Sequence, residues 1–280
     1  MSTQVFRSRF SVTFALATIF SAFILTAPAD AQTPTTQPQA HMTEPPPAPM
    51  QDPAVPAPWW ELIGGYEFDT HGSGYGFFGP AYTRPFKPGL AFTASVFPNY
   101  LHYEFDQPTG TTKVRSPGVS SMFGLRFGEK NFFKVGAGPE VKFRKTEFRA
   151  VNGTVSEKTD TRVGASIGAE MYVNPSPRNN IHALANYGTS DQYTWGRIGA
   201  KRQMNNLDWQ GRNTTFLGVE AIGQGNDDIK SFQFGGFVEV GHVPSNVSVA
   251  FKAGYKRSTF PSAPDKKGPY FAVTFYKRLT

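Results

Sequence analysis

The side chains best suited to chemistry in this chain are charges set two residues apart. In "KVGAGPEVKFR" they are Lys134, Glu140, Lys142 and Arg144, with Gly136 and Gly138 between them. The same spacing places Arg126, Arg162, Glu170, Arg197, Lys201, Glu220, Glu239, Lys252 and Lys256 on matching rows elsewhere, together with Tyr172, Trp195, Phe237 and Tyr276. Cations and glutamates on one surface can neutralise each other as a bracing ion-pair network. They can also line a polar passage biased toward anionic or polyhydroxyl solutes. The aromatic members can stack on sugar faces or simply fill space.

Other chemistries find little support. The chain has no Cys, which excludes disulfides, thiolate metal sites and thiol nucleophiles. His41, His71, His102, His182 and His242 include no pair at metal-ligand spacing, so no metal is expected. "LHYEF" sets His102 and Glu104 on one face, yet nothing nominates a serine to complete a hydrolase. There is no phosphate loop or dinucleotide fingerprint, so no cofactor is expected. The formal charge of +7 is spread along the chain rather than clustered, which does not imply nucleic acid.

Strands must position these charges, because two-residue spacing is the period at which a strand returns to one face. In Phe133–Arg144 one row reads Phe133, Val135, Ala137, Pro139, Val141 and Phe143, without charge. The other row holds Lys134, Glu140, Lys142 and Arg144. "GVSSMFGLRFG", "TRVGASIGAEMYVN", "SFQFGGFVEVG", "NVSVAFKAGYK" and "PYFAVTFYKRL" alternate in the same way. Helical spacing of apolar residues is nowhere sustained beyond residue 58. About twelve strands are expected, near 60–69, 74–84, 89–105, 117–128, 131–148, 159–174, 180–189, 192–203, 212–223, 230–241, 246–258 and 268–279. Gly-, Pro- and Asn-rich breakers such as "RPFKPG", "AVNGTVSE" and "NPSPRN" separate them.

A soluble sandwich and a transmembrane barrel both use such strands. The apolar rows here are incomplete and often small, as at Ala165, Ala169 and Ala253, and the strands are long for a sandwich. An even strand count also returns both chain ends to one side. The expectation is an all-β, antiparallel, up-and-down transmembrane barrel in a bacterial outer membrane. Its uncharged rows would face lipid and its charged rows the lumen. A one-residue slip would carry Lys134, Glu140, Lys142 and Arg144 into lipid, at roughly 2–4 kcal/mol per cation at the midplane. Trp59, Trp60 and Tyr255 are candidates for the interfacial girdle. Outer-membrane lipid and lipopolysaccharide are the expected surroundings.

The N-terminus carries Arg7 and Arg9, an apolar run from Val12 to Leu25, and small residues at Ala29 and Ala31. This reads as a signal peptide over 1–31, cut after Ala31. Residues 32–58 are Pro-rich and read as an extended periplasmic linker, leaving 59–280 for the barrel.

With the strands placed, the ordered pieces "GGYEFD", "GSGYGFFGPAY", "LHYEFD", "RSPGVSSMFGLRFG", "VGAGPEVKFRKTEF", "DQYTWGRIGAKRQ", "GVEAIGQGND", "FQFGGF" and "FKAGYKRS" resemble BcsS-type cellulose biosynthesis proteins over residues 62–279. The resemblance implies an outer-membrane barrel that assists cellulose synthesis and export. It implies cellulose or its export machinery as partner, and it carries over no catalytic residues. Outer-membrane barrels usually end in an aromatic residue; here "FYKRLT" sets Phe275 and Tyr276 back from the end. The alternatives are a small-solute channel, a structural barrel unrelated to cellulose, and a barrel enzyme acting on lipid A or glycans.

Overall fold

The computed structural model describes residues 55–204, 211–261 and 263–279. The expected signal peptide and most of the Pro-rich segment lie outside the described residues.

Twelve antiparallel strands follow one another in chain order. They are β1 (Trp59–Asp69), β2 (Gly74–Lys87), β3 (Leu90–Gln107), β4 (Gly110–Phe127), β5 (Phe132–Ala150), β6 (Val155–Ser176), β7 (Asn179–Gly188), β8 (Tyr193–Gln203), β9 (Asn213–Gly225), β10 (Lys230–His242), β11 (Val247–Phe260) and β12 (Ala263–Leu279). Each pairs with its chain neighbours, and β1 pairs with β12 to close the barrel. Closure satisfies the backbone without a free edge, as a strand in lipid requires. A single turn of 3-10 helix, Val243–Ser245, joins β10 to β11.

Alternation fixes the register. Outward rows expose Phe123, Leu125, Val135, Phe143, Val163, Ile167, Val219, Phe234, Phe251 and Phe271 around the wall. Facing inward are the rows that hold Glu140, Glu220, Gln233, Lys252, Lys256 and Tyr270, all buried. Pro80 and Pro98 have no donor to contribute, and both face outward where the β2–β3 ladder is interrupted. The two strands approach so closely there that any side chain at Gly79 would run into the Val96 carbonyl.

The strands are unequal. β3 to β6 run 18 to 22 residues, whereas β7 and β8 run 10 and 11. At about 3.3 Å per residue, the β6 side outruns β8 by roughly 35 Å of strand. The rim carrying both chain ends is called terminal here, and the opposite rim distal. The tall wall rises at the distal rim. "QPTGTTK" therefore holds only the two-residue turn Pro108–Thr109, and β4 begins at Gly110. Above the apolar belt both faces of a strand are polar, so alternation no longer marks it.

Trp59 does not belong to the girdle. Adjacent strand residues point to opposite faces, so Trp59 and Trp60 cannot both face lipid. Trp60 is the outward one, half exposed and packed on Tyr82 at 4.8 Å. Trp59 lies under the Arg278 guanidinium at 4.4 Å and donates to Glu61. Tyr255 is outward and exposed.

Candidate functional site

The inward rows form three storeys. In the terminal storey, Arg126 stacks over Phe132 at 3.9 Å and faces Trp59, and Tyr276 donates to Glu61 at 2.7 Å. Phe132 stacks on Tyr172, whose ring meets His182 edge-on. Glu170 takes Lys134 on one side and His182 Nε2 at 3.0 Å on the other. Arg197 reaches His182 Nδ1 at 2.6 Å, and Lys201 bridges both oxygens of Glu239 at 2.8 and 2.7 Å. Around these lies a cavity of about 110 Å³, lined by Tyr172, His182, Arg197, Phe237 and Lys252 among others.

The middle storey is packed. Lys252 donates to Glu220 at 2.6 Å, and Tyr270 adds a hydroxyl to the same carboxylate at 3.4 Å. Lys256 lies 3.2 Å from both Glu67 and Asp69, while Gln233 donates to Glu67 at 2.6 Å. Gln233 and Tyr270 have no solvent exposure, and Lys256 has 6%. Buried charges persist only when paired, and each of these has a partner from another strand.

The distal storey is apolar beneath and charged above. Tyr103 and Phe105 of β3, Val114 of β4, Ile229 of the β9–β10 turn and Phe260 of β11 form one buried cluster, with Leu101 and Tyr193 against it. Phe105 stacks on Phe260 at 5.0 Å although three strands separate theirs in the barrel. The turn after β9 folds inward to reach this cluster. The Asn226 carboxamide oxygen accepts from the backbone N–H groups of Asp228 and Ile229, which holds the turn's shape. Asp228 then meets Arg144 at 2.8 Å. Lys142 binds Asp191 at 2.8 Å, Glu140 takes the Ser190 hydroxyl at 2.6 Å, and Arg162 pairs with Asp160 at 2.8 Å. A cleft of about 410 Å³ opens above, between the tall β5–β6 wall and the low turns.

The inward face thus receives Arg126, Lys134, Glu140, Lys142, Arg144, Arg162, Glu170, Tyr172, Trp195, Arg197, Lys201, Glu220, Glu239, Lys252, Lys256, Tyr276 and Phe237. They divide among separate storeys rather than forming one continuous lining. Trp195 sits level with Asn186 and Gln224 on the same face. His102 and Glu104 face outward instead, on the outer wall of β3, where Glu104 pairs with Lys113 at 3.2 Å.

Sequence reasoning missed Glu61, Glu67 and Asp69, although "WELIGGYEFD" carries them at two-residue spacing. It also missed the apolar distal cluster. Rows with Phe or Tyr facing inward mimic lipid-facing rows, so no local signal marks that cluster.

A scan against protein families matches residues 73–279 to cellulose biosynthesis protein BcsS. The chain belongs to the BcsS family. Comparison with curated proteins gives no match. Among solved structures the BcsS chain is similar to the β domain of the Bordetella autotransporter BrkA, at 11% identity and a TM-score of 0.47, covering 79% of this chain and 98% of that one. It is also similar to the transport unit of the Escherichia coli autotransporter AIDA-I, at 11% identity and a TM-score of 0.43, covering 80% and 90%. The outer-membrane channel DcaP of Acinetobacter baumannii follows at 9% identity and 0.30, covering 79% and 96%. These likenesses concern the fold. The closed barrel and its apolar outer belt make this chain an outer-membrane β-barrel, and its family relates it to cellulose biosynthesis.

Proposed function

We propose that this BcsS protein is a non-enzymatic accessory barrel, which anchors or assists the cellulose export apparatus and does not pass the polymer through its own lumen. One observation carries the reading: the middle storey, where Gln233 and Tyr270 are fully buried among the Lys252–Glu220 and Lys256–Glu67–Asp69 pairs. A glucan chain threading the lumen would have to displace these groups together and strand buried charges. With the chain ends in the periplasm, the terminal storey meets the export machinery and the distal rim meets the cell surface. The inward charges serve as bracing ion pairs.

The deciding experiment uses a clean deletion strain, with surface cellulose and periplasm-retained cellulose quantified separately. Loss from the surface with retention inside is expected. Normal amounts in both places would overturn the cellulose role under those conditions.

A further inference from the structure

The outer wall of β3 to β6 changes character within one step along its strands. The uppermost uncharged outward positions are Tyr100, Pro117, Phe143 and Thr161. One outward residue further toward the distal rim come His102, Arg115, Lys145 and Thr159, aligned across four adjacent strands. This row contains cations and no carboxylate. The next row holds Glu104, Lys113, Glu147 and Glu157, where acids return.

Arg115 and Lys145 are direct cross-strand partners. Side chains so placed start about 5 Å apart, and like charges directly opposite each other destabilise a sheet. Lys145 reaches up to Glu157 at 2.9 Å, but both side chains are near half exposed, and such pairs contribute little. Arg115 is exposed and forms no salt bridge with any described residue. An anion held between the two would turn the repulsion into two charge-assisted hydrogen bonds.

Position selects the source of that anion. The row stands directly above the apolar belt, the height at which headgroups replace hydrocarbon. We propose that Arg115 and Lys145, flanked by His102 and the Thr159 hydroxyl, bind the phosphate of a lipid headgroup in the leaflet surrounding the distal rim. The site lies on the outer wall and is independent of the cellulose role.

The test uses the full chain in neutral detergent, with lipid retention read by native mass spectrometry. The probes are diphosphoryl lipid A, the same lipid without its phosphates, and inorganic phosphate. The wild type should retain the phosphorylated lipid preferentially. The R115Q/K145Q double variant should lose retention roughly 30-fold, at about 1 kcal/mol for each cation. K113Q, one row higher, should retain it like the wild type. A heat-modifiable gel band reports that each variant is folded. Equal retention of the two lipids by the wild type would overturn the proposal even if the double variant failed to fold. Undiminished retention by a folded double variant would do the same. Full displacement of the lipid by millimolar inorganic phosphate would show a site for free anions and sink the headgroup assignment.

Discussion

Arg144 on β5 and Asp228 in the β9–β10 turn meet at 2.8 Å, although three strands stand between β5 and β9. The same turn inserts Ile229 beneath them, against Tyr103 and Val114. A surface turn of four residues is thus fastened over the barrel mouth by an ion pair, an apolar anchor and the Asn226 carboxamide, which donates to the Asp191 carbonyl at 3.3 Å. Asp228 is 46% exposed, so the ion pair orients the turn while the apolar anchor holds it.

The anchor should therefore matter more than the pair. Ile229→Ala is expected to destabilise the closed mouth by about 2–5 kcal/mol, against about 0–1 kcal/mol for Asp228→Ala. Thermolysin cleavage within the turn checks this: I229A should be cut much faster than D228A. Equal rates would give the ion pair as large a share of the fastening as the anchor, and faster cutting of D228A would assign it to the ion pair.

Lys256 is the buried cation on which two carboxylates converge. Lys256→Met leaves Glu67 and Asp69 close together without their counter-charge, and should destabilise the barrel by about 3–5 kcal/mol. Adding Glu67→Gln should recover part of that loss. Urea unfolding in detergent, followed by tryptophan fluorescence, measures both. A K256M barrel as stable as the wild type would show that the middle storey is wet.

Phe123 and Met122 are neighbours on β4 with opposite exposures to lipid and lumen. Arginine at Phe123 should cost roughly 2–4 kcal/mol near the midplane. Arginine at Ser120, on the inward row beside Glu140, should cost far less. The fraction of heat-modifiable barrel recovered on refolding into vesicles discriminates the two. Similar losses for both would place the register in error.

Trp59 and Trp60 offer a test that needs no unfolding. Brominated lipid should quench the fluorescence of Trp60, which is outward, and spare that of Trp59 beneath Arg278. W60F should remove most of the quenchable signal from this pair, and W59F little of it. The reverse result would exchange their faces.

The fold was legible because lipid enforces a simple rule on every second residue. Phe133–Phe143 displays that rule without interruption and Phe232–Val240 breaks it only around Gly236 and the inward Phe237, so strand number and register followed from alternation. Legibility failed where lipid stops acting. The upper parts of β4, β6 and β12 carry polar residues on both faces, and their strand character comes from pairing with distant neighbours. It failed again inside the barrel. Tyr103 and Phe105 look like lipid-facing residues in sequence, and only the partners Ile229 and Phe260, more than a hundred residues later, explain why they point inward. The inward charges could be named from sequence, but their division into storeys depends on strand stagger, which no single strand encodes.

Gln233 and Tyr270, buried among their ion pairs, stand between the cleft of the distal storey and the cavity of the terminal storey. The two ends are joined by shared strands such as β11, which carries Phe260 in the distal cluster, Lys256 in the packed middle and Lys252 at the edge of the terminal cavity. A shift at one rim therefore loads the other through one continuous hydrogen-bonded wall.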